Sequence, residues 1–206
     1  MNENSAVQQG EAKARSGKIR AILAGGLVLG VGATVVLAAW NDSEFGAGTF
    51  TAGSFNLEGS VDGTAYTDHA TAGTAAPLSF TVNPSNLAPG DTVYAPFAVR
   101  LDAGTTSPAT VTVSSAADGP NSANLSYSVT TPGAFGCSSG DASTVLVPAA
   151  TPVGTTPAGI TFPLAIGTSP AAGAAVNLCF KVTAGANLIE SEVSTVTWEF
   201  AAASTS

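Results

Sequence analysis

The sequence is poor in charge and, beyond its first twenty residues, almost lacks basic side chains. Charged residues make up 10% of the 206 residues, against roughly 25% in an average soluble protein. After position 20, Arg100 and Lys181 stand against twelve carboxylates. Phosphate recognition needs several basic side chains on one face. The composition therefore excludes nucleic-acid binding and also binding to an anionic membrane surface.

Residues that favour helix interiors are equally scarce. Leu is infrequent, Met occurs once, and Lys and Glu are few, whereas Ala, Thr, Ser and Gly dominate and Gly and Pro number 23 and 12. Such a composition suits short strands and turns better than helices. It excludes a helical bundle.

The sequence also lacks the usual catalytic motifs. His69 is the single histidine, so a multi-histidine metal site is excluded and a Ser-His-Asp triad would depend on this one residue. Motifs of zinc proteases, serine hydrolases, phosphate-binding loops and dinucleotide-binding folds are all missing. Glu190 and Glu192 are the best acid pair, but no aromatic cleft accompanies them. We expect no catalytic residues, no metal ligands and no cofactor; a calcium site from Glu58, Asp62 and Asp68 is an unspecific alternative.

The N-terminus combines a basic stretch with an apolar run. Lys13, Arg15, Lys18 and Arg20 precede residues 21–39, which carry no charge. A basic region, an apolar region and small residues at its end indicate a secretory signal peptide. Residues 1–39 are therefore predicted as the signal, residues 1–20 being its basic part and 21–39 its apolar helix, with cleavage at Ala38, Ala39 or Trp40. A retained membrane anchor is the alternative, because nineteen apolar residues can just span a bilayer.

Two cysteines follow the leader. An even pair in an exported chain predicts a disulfide between Cys137 and Cys179, worth roughly 4 kcal/mol on the chain-entropy model. Free buried thiols or a metal site are the alternatives.

From residue 48 onward, apolar residues recur at every second position, which is typical of half-buried strands. Turn formers separate these runs, and Pro163 within residues 160–166 predicts an edge strand. The pattern predicts an all-β domain over 40–206, an antiparallel β-sandwich or jelly roll of about eight or nine strands with a mobile segment at 40–47. Strands are expected at 78–82, 92–101, 111–113, 125–129, 145–147, 160–166, 176–182 and 196–200, and residues 148–158 are expected to form a loop.

Two stretches carry a family resemblance. The junction from Leu37 to Phe45 is followed by Phe50-Thr-Ala-Gly53-Ser-Phe55-Asn-Leu57, and Leu87-Ala-Pro89-Gly90-Asp91 leads into a strand. Together they resemble exported proteins of the TasA/camelysin type, whose alternate signal peptide is cut by a SipW-type signal peptidase. The resemblance covers residues 21 to about 101. It implies a jelly-roll domain at the cell surface, where TasA-like members polymerise into biofilm-matrix fibres.

These observations predict a secreted structural protein rather than an enzyme. Its expected partners are a signal peptidase during export and then other copies of itself or components of the matrix or cell wall. The segment that contains Trp40, Asn41, Asp42, Phe45 and Phe50 is expected to add as a strand to a neighbouring copy. The alternative is a surface module that binds a glycan or a protein, for which a groove lined by Tyr66, Tyr94 or Tyr127 would be evidence.

Overall fold

The fold is all-β. A computed structural model describes residues 43–81, 84–139 and 143–205. Residues 43–50 belong to one unit of the chain and contain no helix or strand, whereas residues 51–206 form a second unit. Apart from two single-turn 3₁₀ helices, Ala72–Thr74 and Ser122–Asn124, the regular structure in the described residues consists of eight strands: β1 Leu57–Ser60, β2 Thr92–Leu101, β3 Ala109–Asp118, β4 Leu125–Pro132, β5 Ser143–Pro152, β6 Thr161–Leu164, β7 Val176–Ala184 and β8 Thr195–Ser204.

The strands form two antiparallel sheets. The larger sheet has the order β1-β2-β7-β4-β5 and the smaller has the order β6-β3-β8. Side chains from both sheets form one hydrophobic core, which includes Val99, Leu178 and Phe180 from the larger sheet and Val111 and Leu164 from the smaller. The fold is therefore sandwich-like, with one face of each sheet turned inward. The prediction of an all-β antiparallel fold with about eight or nine strands is confirmed, since the described residues form eight strands in two antiparallel sheets.

Alternation of apolar residues located most of the strands. The predicted strand 92–101 coincides with β2, and the β6 strand that contains Pro163 lies at a sheet edge, as predicted. Alternation at 78–82 was misleading, because Leu78 and Phe80 face the core but residues 78–81 form no strand.

Several other boundaries differ from the prediction, among them the length of β3, which runs from Ala109 to Asp118. The expected loop 148–158 begins later, since β5 continues to Pro152. The last strand is also longer than predicted, because β8 extends through small residues to Ser204. Small side chains carry little periodic signal, so the pattern ended before the strand did. The signal peptide and cleavage residues Ala38, Ala39 and Trp40 lie outside the described residues.

The predicted disulfide is confirmed. Cys137 and Cys179 are bonded, with 4.9 Å between their Cα atoms. Cys179 alternates with the core residues Leu178 and Phe180, so it lies on the outer face of the larger sheet. The bond therefore fixes the loop between β4 and β5 on that face. Phe135 of this loop packs against Gly63, where a Cβ would lie 2.5 Å from the ring.

Candidate functional site: an open sheet edge

Three of the four sheet edges are short or interrupted. An exposed row of backbone N–H and C=O groups invites another strand, and proteins block it with short strands, bulges or proline. β1 has four residues, and its Gly59 exchanges two backbone hydrogen bonds with Thr67 at 2.9 and 3.0 Å. β6 also has four residues and contains Pro163. β5 is longer, but its register with β4 shifts twice and it contains Pro148 and Pro152.

β8 is the fourth edge and has none of these features. All ten of its residues pair in unbroken register with β3, from Thr195 opposite Asp118 to Ser204 opposite Ala109. The strand contains no proline. On its other side it has no strand partner among the described residues. β8 is thus a long, regular edge that can accept another strand.

The hydrogen-bonding pattern identifies which groups of β8 face outward. Val113 on β3 donates its backbone N–H to Ile160, on the β6 side. Because strand residues alternate in direction, Thr112 faces β8, where it pairs with Ala201. The backbone N–H and C=O groups of Ala201 therefore point towards β3, inside the sheet. The backbone groups of Trp198, Phe200 and Ala202 point to the open edge.

The same strand leaves the core incompletely covered. Val196, Trp198, Phe200 and Ala202 face the core but are only half-buried, and no described β8 residue belongs to the fully buried set. The Trp198 ring lies 4.7 Å from Phe180 between ring centroids. Its indole N–H is shielded from solvent and has no hydrogen-bond partner in the described structure. Burying such a donor unpaired is unfavourable.

Of the predicted self-association segment, the structure describes only the second half. Phe45 and Phe50 are each 95% exposed. Large aromatic side chains in water are a source of free energy for association, at roughly 25 cal/mol per Å² buried. Trp40, Asn41 and Asp42 lie outside the described residues.

The tyrosines do not form one groove. Tyr127 is 1% exposed and donates its hydroxyl to the carbonyl of Thr155 at 2.8 Å, inside the domain. Tyr66 lies under Arg100, whose guanidinium carbon is 3.8 Å from the ring centroid. The buried Tyr127 therefore gives no evidence for the ligand groove that the alternative function would need.

The acidic candidates are held in separate contacts. Glu58 pairs with Arg100 at 3.1 Å, and Asp68 accepts from the side chain of Asn56 at 2.9 Å. Glu190 and Glu192 lie in the loop between β7 and β8 and share no strand. Within the described ranges no group of three His, Cys, Asp or Glu residues is placed to hold a metal ion.

Asp62 caps the turn that follows β1. Its carboxylate accepts backbone hydrogen bonds from Thr64 and Ala65, each at 2.8 Å, and one from the Ser60 hydroxyl at 2.9 Å. The backbone donors lower the pKa of Asp62 from 3.8 to about 2, with a smaller contribution from Ser60. Gly63 follows with φ of 73°, a conformation that favours glycine. This carboxylate thus stabilises a turn.

Comparisons with known proteins do not identify a family for the chain. Protein-family models and curated proteins give no significant match to the chain. Across residues 43–81, 84–139 and 143–205, no helix is long and apolar enough to cross a membrane.

Proposed function

We propose that this chain is an exported structural protein of the cell surface or extracellular matrix, and that its copies assemble by strand addition at β8. The observation that carries the proposal is the contrast among the four sheet edges: β8 is long and regular, and on its outer side it pairs with no strand of the described residues. Natural sheet proteins usually block such an edge. A sheet edge that is left open is a site at which another strand can pair.

The proposed donor is the segment around Trp40 to Phe50 of a second copy. Phe45 and Phe50 are exposed at 95% each, and the segment is too poor in apolar residues to fold alone. In strand addition, main-chain hydrogen bonds supply affinity and side-chain pockets set the register. The half-buried side chains of β8 offer apolar surface for those pockets.

The finer fold that we propose is a jelly roll in which the first strand is displaced. A jelly roll has its second, seventh, fourth and fifth strands in one sheet, and its first, eighth, third and sixth in the other. The observed orders β2-β7-β4-β5 and β6-β3-β8 agree with this arrangement, but β1 pairs with β2. Among the described residues no strand takes the place beside β8, which supports the proposal.

The proposal also includes export of the chain from the cell. The basic stretch, apolar run and small residues of 1–39 are those of a signal peptide, and the disulfide is compatible with an oxidising compartment. Cleavage near Ala39 would free the donor segment only outside the cell. Assembly would then be prevented before export.

Two variants of the mature chain test the proposal. Deleting residues 40–47 removes most of the donor, and Ala202→Pro removes an outward N–H of the acceptor edge without breaking a β3 bond. We expect both to stay monomeric by light scattering and electron microscopy while wild type forms oligomers or fibres.

A matched control places proline at another edge. Ala149→Pro lies in the β5 bulge, where no β4 residue is in register with Ala149, and should assemble as wild type does. Unchanged assembly by the deletion variant would contradict the donor. Unchanged assembly by Ala202→Pro, with circular dichroism showing the native fold, would contradict the acceptor.

A further inference from the structure

Residues 76–81, called the plug below, fill one side of the sandwich without joining a sheet. Ala76, Leu78 and Phe80 are half-buried and pack against the core, whereas Pro77, Ser79 and Thr81 between them are exposed. This alternation is that of a strand with one buried face. The plug nevertheless has no strand structure.

The plug is held mainly by its side chains. Thr81 donates its backbone N–H to the carbonyl of Tyr94 at 2.7 Å, and its hydroxyl accepts from the Tyr94 N–H at 3.2 Å. Among the described residues, no other backbone group of the plug bonds to a strand. Pro77 lacks the N–H that a ladder would need. A segment that is held to a strand by this one backbone contact opens at low free-energy cost when the contact breaks.

The plug lies beside the open edge. Its Phe80 ring is 6.4 Å from the ring of Trp198 on β8, and Thr81 bonds to Tyr94 on β2. It therefore bridges the two sheets where β8 has no strand partner in the described structure. The unpartnered indole N–H of Trp198 shows that polar groups are incompletely satisfied at this position.

We infer that the plug is an autoinhibitory segment, which the strand of a second copy displaces during assembly. The inference rests on the proposed function and adds its regulation. An incoming strand can bond to the outward groups of Trp198, Phe200 and Ala202, which the plug leaves unused. The exchange replaces the side-chain contacts of the plug with similar contacts from the incoming strand, and it adds a ladder of backbone hydrogen bonds with β8. It therefore favours the assembled state once donor segments are free. Until then, the plug shields apolar core side chains.

A covalent lock tests this inference. The 2.7 Å hydrogen bond between Thr81 and Tyr94 brings their backbones within the range that a disulfide can bridge. Thr81→Cys combined with Tyr94→Cys, oxidised and checked by mass spectrometry, should leave the mature chain folded and monomeric. The two single variants, with the extra thiol blocked, keep the plug free and should assemble.

Assembly of the locked variant at the rate of the single variants would overturn the inference and leave strand addition at β8 intact. Failure of wild type and single variants to assemble would overturn the proposed function together with the inference.

Loosening the plug should have the opposite effect. Phe80→Ala removes its largest core contact and should shorten the lag before assembly several-fold. Ile160→Ala is the matched control, because Ile160 is also half-buried against the core but lies near β6, away from the plug. A lag that Phe80→Ala leaves unchanged, or that both variants shorten equally, would contradict the inference.

Discussion

At the residue scale, the surroundings of Asp62 favour the charged form of its carboxylate. Because the pKa of Asp62 falls from 3.8 to about 2 on folding, its contribution to stability is present above pH 3.8 and is lost as the pH falls towards 2. We expect urea unfolding of wild type and Asp62→Asn to differ by a constant amount above about pH 5 and to converge towards pH 2. Parallel pH profiles down to pH 2 would contradict this.

Asn121 is a second residue whose role follows from its hydrogen bonds. It is 6% exposed; its side-chain amide donates to the carbonyls of Ile189 and Glu192, and its side-chain oxygen accepts from the Ile189 N–H. Asn121→Ala removes three hydrogen bonds that connect this buried side chain to the loop between β7 and β8, and it should cost about 2 kcal/mol of unfolding free energy. The exposed Asn187 in the same loop gives the control Asn187→Ala, expected within about 0.5 kcal/mol of wild type. Equal losses in urea melts would contradict the assigned role.

At the element scale, the disulfide fixes the loop between β4 and β5 to the outer face of the larger sheet. Replacing both Cys137 and Cys179 with Ser should lower the unfolding free energy by about 4 kcal/mol, measured by urea unfolding. Thiol labelling of the denatured, unreduced wild-type chain is the complementary measurement. Two reactive thiols per chain would show that the bond is missing in the protein.

The elements also show how far the sequence pattern is informative. Alternation reports which side chains face a core, so it located β2 and the other regular strands. It gave the same signal for residues 78–82, because Leu78 and Phe80 face the core although residues 78–81 form no strand. The open edge was not predictable, since strand order depends on tertiary pairing. Phe45 and Phe50 could be proposed as donor residues from the sequence because aromatics stand out among small residues, and the structure shows both side chains exposed.

At the scale of the whole molecule, the proposed signal peptide would determine where the chain acts. We expect the secreted form to begin near Ala39 or Trp40, because small residues end the apolar run there. N-terminal sequencing of protein from culture medium is the measurement. Recovery of the chain in the membrane fraction with Met1 or Asn2 retained would make 21–39 an anchor and would leave no free donor end.

Net charge sets how assembly should respond to salt. Residues 40–206 carry twelve carboxylates against Arg100 and Lys181, and Arg100 is paired with Glu58. Copies that approach for strand addition therefore repel each other, while the contacts proposed at β8 are apolar and main-chain. Salt screens the repulsion over about 10 Å at 0.1 M and weakens those contacts little.

We expect the lag before assembly to shorten as sodium chloride is raised from about 0.01 to about 0.5 M, a range over which the screening length falls several-fold. Light scattering is the measurement. Ala202→Pro is the control, because without the acceptor edge it should remain monomeric at every salt concentration. Assembly of this variant at high salt would show non-specific association. A wild-type lag that lengthens with salt would mean that ion pairs between copies, rather than a backbone ladder on β8, hold the assembly together.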